Sequence, residues 1–203
     1  HDLRAPLRAM SGFAAVLRED YGDKLDADAH AVIARISMAA TRMGELIDGL
    51  LALSRISTHE LEYATVDLGK LARDVLAHVS SGIDAQIEDG LRVRADPVLM
   101  RSVIQNLVNN AIKFSARVAV PRIEVGMTTT DAGPTYFVRD NGAGFDMAYA
   151  AQLFRPFKRL HSSSEFEGTG IGLATVQRVI RRHGGAIWAQ AAPGSGATFF
   201  FTL

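Results

Sequence analysis

Apolar residues recur every three or four positions along the first quarter of the chain, and after residue 58 that rhythm gives way to shorter, mixed patterns. Leu3, Leu7, Met10, Ala14 and Leu17 step alternately by four and three, which predicts a helix over residues 1 to about 20. Pro6 falls within its first turns, where a missing N–H is tolerated. Asp20-Tyr21-Gly22-Asp23 interrupts the pattern, and a second helix is predicted from about Asp28 to Thr58. Along it Val32, Ile36, Ala39, Met43, Leu46, Leu50 and Leu53 keep the same steps, an a/d seam sustained over three heptads. Two antiparallel helices with narrow seams make a hairpin too small to bury those seams alone. The expectation is a homodimer through residues 1–58, forming a four-helix bundle; the alternative packs the seam on the rest of the chain.

Ser57–Thr65 is polar and aperiodic and marks the expected boundary, with a hairpin domain over 1–58 and a second domain over 66–203. Beyond it, Leu68–Val79 reads as a helix and Ile83–Ala95 as short strands around Gly90. Asp96-Pro97, a cap followed by proline at the first helical position, opens a helix that runs through Ser115. Arg122–Thr129 and Thr135–Arg139 alternate as strands joined at Asp131-Ala132-Gly133-Pro134. Ile171–His183 is an amphipathic helix stopped by Gly184-Gly185, followed by strands at Ala186–Gln190 and Ala197–Thr202. The fold class is therefore α+β: a helical hairpin, then an α/β sandwich with helices on one face of a mixed sheet.

Composition narrows the function classes. Twenty-two basic and 22 acidic residues cancel, so no overall field favours nucleic acid or an anionic membrane. The absence of cysteine excludes disulfides, thiolate metal sites and cysteine nucleophiles, and fits a reducing compartment. No apolar run reaches 18 residues and no signal peptide is visible. A cytoplasmic module is the expectation, within a full-length protein that is soluble or membrane-attached. The chain opens at His1 directly on helical sequence, the pattern expected of a piece whose upstream sensor region is missing.

Three stretches carry candidate chemistry. On the helix RSVIQNLVNNAIKFS, Val103, Leu107 and Ala111 belong to an apolar stripe, while Asn106, Asn110 and Lys113 leave one side at i, i+4 and i+7. An amide oxygen suits Mg²⁺ and an ammonium suits phosphate, so this is either a magnesium–phosphate face or a solvated one. Asp140-Asn141-Gly142-Ala143-Gly144 follows an apolar strand and reads either as a tight turn or as a fixed carboxylate able to accept from an exocyclic amine such as that of adenine. Gly168-Thr169-Gly170-Ile171-Gly172 opens straight into a helix, where unpaired amides and the helix dipole favour an anion. Its spacing is neither the Rossmann nor the Walker pattern, and the polar run His161–Glu167 before it reads as a lid.

In this order NLVNNAIKF, DNGAGF, LFRPFKR and GTGIGLATV closely resemble the nucleotide-binding boxes of Bergerat-fold ATPases, specifically of sensor histidine kinases. HDLRAPLR resembles the phosphoacceptor box of the same family, and EDYGDKLD with the LFRPFKRLHS and EFEGTGIGLA runs looks most like phytochrome-type or PAS-linked kinases. The resemblance implies ATP and Mg²⁺ as cofactors, autophosphorylation of His1, and transfer to an aspartate of a response-regulator receiver domain. By similarity, Asp2 would orient the His1 imidazole, and Asn106 would join these two in the catalytic set. Asn110 would ligate Mg²⁺, Lys113 would neutralise phosphate oxygens and Asp140 would read the adenine amine. Gly142 and Gly144 would give the base room, with Phe145 in the core. Gly168, Thr169, Gly170, Gly172 and Leu173 would surround the phosphates, Phe154 and Phe157 would pack the lid, and Thr198 would support the adenine end through water. His1 would reach the γ-phosphate by a swing about Ser57–Thr65. Ala5 stands where many such kinases carry Thr or Asn, which implies weak phosphatase activity. A catalytically degenerate ATP-binding scaffold is the alternative within the same resemblance.

Overall fold

The structure, a computed structural model, describes residues 4–78, 82–130, 133–160, 165–166 and 168–203. His1, Asp2 and Leu3 lie outside the described residues, as do Val79, Asp131-Ala132 and most of the expected lid. The chain divides into two compact units between Ser54 and Arg55.

In the first unit, α1 (Arg4–Tyr21) and α2 (Ala27–Thr58) are joined by a short 3₁₀ turn at Gly22–Lys24. Asp26 accepts the N–H of Ala29 at 2.8 Å and starts α2, as an N-terminal cap does. The His30 imidazole contacts the Gly22 carbonyl at 3.1 Å and pins the turn to the helix. Burial within the hairpin falls on Leu7 and Ala14 of α1 and on Ile33 and Ala40 of α2. The seam expected on α2 is a neighbouring stripe: Val32, Ile36, Met43 and Leu50 are all exposed, between 41% and 52%. An α-helix turns by about 100° per residue, so Ile33 and Ala40 lie beside the a/d stripe. Helix α2 is thus apolar on two adjacent faces, of which one is uncovered.

The second unit carries β1 (Ala64–Asp67), α3 (Leu68–Leu76), β2 (Asp84–Ile87), β3 (Arg92–Ala95), α4 (Pro97–Ser115), β4 (Arg122–Thr130), β5 (Gly133–Asp140), α5 (Gly172–Arg182), β6 (Ile187–Ala191) and β7 (Ala197–Phe201), with a 3₁₀ turn at Met147–Gln152 that the sequence pattern does not indicate. The main sheet has the order β2-β4-β5-β7-β6, with β2 and β4 parallel and the other pairs antiparallel; β1 and β3 form a separate ribbon. This is the expected mixed sheet. Strand alternation sends Ala197, Phe199 and Phe201 of β7 inward to a core that includes Met100, Val103, Ile104 and Leu107 of α4 and Val176, Val179 and Ile180 of α5. On the opposite face Trp188 stacks on Phe200, and the Phe137 ring lies over Gly126, where a Cβ would come within 2.8 Å of it.

One buried carboxylate ties the start of this unit together. Asp96, only 1% exposed, caps α4 by accepting the N–H groups of Val98 and Leu99 at 2.9 and 3.0 Å. Its other oxygen meets the His59 ring at 2.9 Å and accepts the Glu62 N–H at 3.1 Å. Burial alone would raise its pKa; the amides of Leu99 and Glu62 and the His59 ring outweigh that and hold it below the ordinary carboxylate value. The Asp96 N–H donates to His183 Nε2 at 3.1 Å, so His183 carries its proton on Nδ1 and donates it to the Val179 carbonyl at 2.8 Å. Tyr63 packs edge-on against His183, and Arg182 donates to the Ile56 carbonyl. These bonds fall within the segment expected to act as a hinge. Helix α2 runs on to Thr58, and the following residues are fastened at His59, Glu62 and Tyr63, so Ser57–Thr65 is not a loose linker.

Candidate nucleotide site

A cavity of about 220 Å³ opens where α4, the end of β5 and the N-terminus of α5 meet. The polar face of α4 supplies Asn106, Asn110 and Lys113 to its lining, while Val103, Leu107 and Ala111 of the same helix are buried in the core. The helical period thus joins the core to the candidate site, as the spacing implied.

Asp140 ends β5 with only 6% of its surface exposed. Its Oδ1 accepts the Gly142 N–H at 2.8 Å, and the Ala197 N–H also reaches the carboxylate. Burial pushes its pKa up to about 6, against the lowering effect of those two amides. An acceptor fixed by two backbone donors in a largely apolar pocket suits a neutral amine donor. Of the two nearby glycines, Gly144 lines the cavity and has a φ of 60°, and a Cβ there would sit 2.0 Å from the Ala192 carbonyl oxygen. Gly142 does something else: a Cβ would lie 2.4 Å from the Phe114 carbonyl oxygen, so this glycine lets the loop close on the end of α4. Ala143 completes that contact, donating to Phe114 O at 3.1 Å.

The phosphate-suited end is built from charge and bare amides. Helix α5 starts at Gly172 after Ile171, with no side-chain cap on its first turn. Gly168, Thr169, Gly170, Gly172 and Leu173 all line the cavity. Asn106 donates its Nδ2 to Ser102 O at 2.8 Å, and a Cβ on Gly172 would come within 2.5 Å of its Oδ1. That amide is therefore locked by its own helix and abuts the start of α5. Lys113 is half-buried, and its pKa is lowered by burial and by the Arg159 charge. Two cations sharing a pocket repel, and an anion between them relieves the repulsion.

Other expectations move. Thr198 lies between the inward residues Ala197 and Phe199 of β7 and receives the Nε–H of Arg139 at 3.2 Å. Alternation turns it away from the cavity, which Ala197 and Phe199 line instead. Phe145 is buried as expected and faces Phe199, with ring centroids 6.4 Å apart. Phe154 packs against the core, but Phe157 is exposed; its backbone, at φ 65°, donates to Gly170 O at 3.0 Å. Phe114, Lys158, Arg159 and Phe166 also line the cavity. Lys158 and Arg159 are legible in LFRPFKR, where the signal for the site lies in the basic residues rather than in the phenylalanines. His1 and Asp2 fall outside the described residues.

Residues 95–203 match the family model described as histidine kinase-, DNA gyrase B-, and HSP90-like ATPase, and residues 1–59 match the His Kinase A (phospho-acceptor) domain. The chain belongs to the histidine kinase family. This sensor histidine kinase catalytic module is 36% identical over 214 residues to cyanobacterial phytochrome B of Nostoc sp., covering all of this chain and 28% of that protein. It is 35% identical to the methanogenesis regulatory histidine kinase FilI of Methanothrix harundinacea, covering all of this chain and 23% of that one. The module thus spans about a quarter of the length of these relatives. Among solved structures, full-length ShkA in complex with AMPPNP superposes with a TM-score of 0.66 at 26% identity, over 99% of this chain and 43% of that one. The Acinetobacter baumannii histidine kinase AdeS shares the fold with a TM-score of 0.62 at 21% identity, over 99% and 95%. Among the described residues no helix is long and apolar enough to cross a membrane.

Proposed function

We propose that the module binds magnesium ATP in this cavity, transfers the γ-phosphoryl group to His1, and passes it to an aspartate of a response-regulator receiver domain. The observation that carries the reading is convergence: Asn110, Lys113, Arg159, Asp140 and the uncapped start of α5 line or flank one cavity. Asp140 accepts the adenine amine. Lys113 and Arg159 neutralise phosphate oxygens beside the Gly168–Gly172 amides. No cluster of three or more His, Asp or Glu suited to a metal occurs among the described residues. An amide donor such as Asn110 fits Mg²⁺, which keeps several waters and takes its other ligands from phosphate. When bound, the metal neutralises charge on the phosphate oxygens.

In the transfer, a ring nitrogen of His1 forms a bond to the γ-phosphorus as the bond to the β-bridging oxygen breaks, leaving ADP. Asp2 accepts the remaining ring proton's hydrogen bond and stabilises the phosphoimidazole tautomer. The homodimer through residues 1–58 belongs to the same proposal, and the exposed stripe Val32, Ile36, Met43 and Leu50 supports it. ShkA, solved with AMPPNP, supports the choice of ligand.

Incubation with γ-labelled ATP and Mg²⁺ tests the reading. Acid-labile, base-stable label on the wild type is expected, with none on His1→Gln or Asn110→Asp. Label retained by His1→Gln would move the acceptor elsewhere. Nucleotide binding without label on any variant would leave the scaffold reading in its place.

A further inference from the structure

The run HSSSEFE before the glycine turn has one apolar residue, Phe166, and the structure gives that residue a seat. Its ring meets Phe114 edge-on, with centroids 4.9 Å apart and planes inclined by 63°. The Arg117 guanidinium lies 4.9 Å from the centre of the same ring. Arg117 also donates to the Glu165 carbonyl at 2.7 Å, and Arg159 donates to the Phe166 carbonyl. The two-residue segment is therefore gripped through ring and backbone together. Phe114 is on α4 and Arg117 lies just beyond its end, the helix that also carries Asn110 and Lys113.

Two residues later the chain passes over the candidate phosphate site. At Gly168 a Cβ would lie 3.3 Å from Lys113 Nζ, so the turn runs directly beside that charge. Its far end is held separately, by the Phe157 N–H to the Gly170 carbonyl. The turn is slung between two phenylalanines, one used through its ring and one through its backbone. The aromatic edge and the cation over the face each favour a ring at 166 over an aliphatic side chain of similar bulk.

Resting on the reading of the cavity as a magnesium nucleotide site, we infer that Phe166 is a positioning residue for the triphosphate. Seated in the notch of Phe114 and Arg117, it fixes the Gly168–Gly172 amides against Lys113. Recognition of the base is assigned to Asp140, and the ring is assigned to the turn that follows it. Without the ring, that end of the turn is held only through the Glu165 and Phe166 carbonyls, and the cost of the looser seat falls on ligands that carry phosphates.

The test uses the whole chain with two ligands: magnesium AMPPNP by calorimetry, and adenosine, which has base and ribose but no phosphate, by ligand-detected NMR. Phe166→Ala is expected to weaken AMPPNP about ten-fold, the combined worth of one edge-on ring pair and one cation over a ring face. Adenosine affinity stays that of the wild type, and the unfolding midpoint falls by only a few degrees, as loss of the same ring contacts from the free chain requires. Phe166→Tyr restores most of the AMPPNP affinity, and Arg117→Met falls between the alanine variant and the wild type. Unchanged AMPPNP binding by Phe166→Ala, or equal weakening of both ligands, overturns the inference and leaves the proposed function standing. A wild-type chain that binds neither ligand refutes the nucleotide reading, and the inference falls with it.

Discussion

Replacing Asp140 by Asn separates what this carboxylate costs the fold from what it does for a ligand. In the native state its pKa is raised from the ordinary 3.8 to about 6, chiefly by burial. A group bound more tightly by protons in the native state stabilises the fold below its unfolded pKa, and that stabilisation is lost as the pH rises through the native one. The loss is complete above pH ~6. At about 1.4 kcal/mol per pH unit, the gap is worth ~3 kcal/mol. Asparagine never ionises, so it escapes this loss. It exchanges one carboxylate oxygen for an NH2 group, however, beside two backbone donors, the Gly142 and Ala197 amides, and a donor left facing that group costs about 1–3 kcal/mol at every pH. The absolute stability of the variant is therefore a poor diagnostic, because two terms of similar size oppose. The difference between variant and wild type is a sharp one: it is expected to move in the variant's favour by roughly 2–2.5 kcal/mol between pH ~4 and pH ~7.5. Urea unfolding followed through Trp188, the single tryptophan, reads this unit directly, since that ring stacks on Phe200 in the sheet. A difference that stays flat across that range would mean the carboxylate is hydrated in solution, and the argument from burial would fail. In the same samples, adenine nucleotide affinity is expected to drop at least about ten-fold, the worth of one well-placed charged acceptor.

Asp96→Ala is expected to destabilise the second unit by roughly 2–4 kcal/mol, since it removes a helix cap and strands the Glu62 amide beside His59. Because that carboxyl's pKa is lowered, its contribution is present at neutral pH and fades as the pH falls through the native value, below 3.8. The wild-type advantage over Asp96→Ala should therefore shrink in acid, as measured by the same tryptophan signal. Gly144→Ala places a Cβ 2.0 Å from Ala192 O at a φ of 60°, and is expected to cost about 3 kcal/mol or more; a soluble variant with an unshifted midpoint would contradict the backbone description. Ile36→Lys with Met43→Lys puts charge on the exposed stripe of α2 and should yield monomers by light scattering, with Trp188 emission unchanged. A dimer that survives both substitutions would place the interface elsewhere.

Periodicity carries most of the architecture because burial is periodic. The α4 pattern names its core side and its polar side together, and the structure uses both as the spacing implied. The Asp96-Pro97 cap is equally legible, because capping is local chemistry between residues two and three apart. Relations between distant segments are what a linear pattern hides. Gly142 reads as space for a base and proves to be space for α4, a fact that depends on Phe114, 28 positions earlier by subtraction of the two residue numbers. Thr198 reads as a ligand support because it matches a motif, yet a strand reverses its face at every residue, and its neighbour Ala197 takes the inward place.

The stretch after residue 57 shows the same limit from the other side. It is polar, and polar composition suggests freedom; but polar groups are also what a buried carboxylate needs as partners. His59, the Glu62 amide and the Asp96 oxygen satisfy one another, and the Asp96 amide passes the connection to His183 at the end of α5. Composition gives the same reading for a solvated linker and for a hydrogen-bonded latch, and only the position of Asp96 distinguishes them. The Ile56 carbonyl, which accepts from Arg182, belongs to the same latch, so its hydrogen bonds hold the end of α2 to the end of α5 within the second unit.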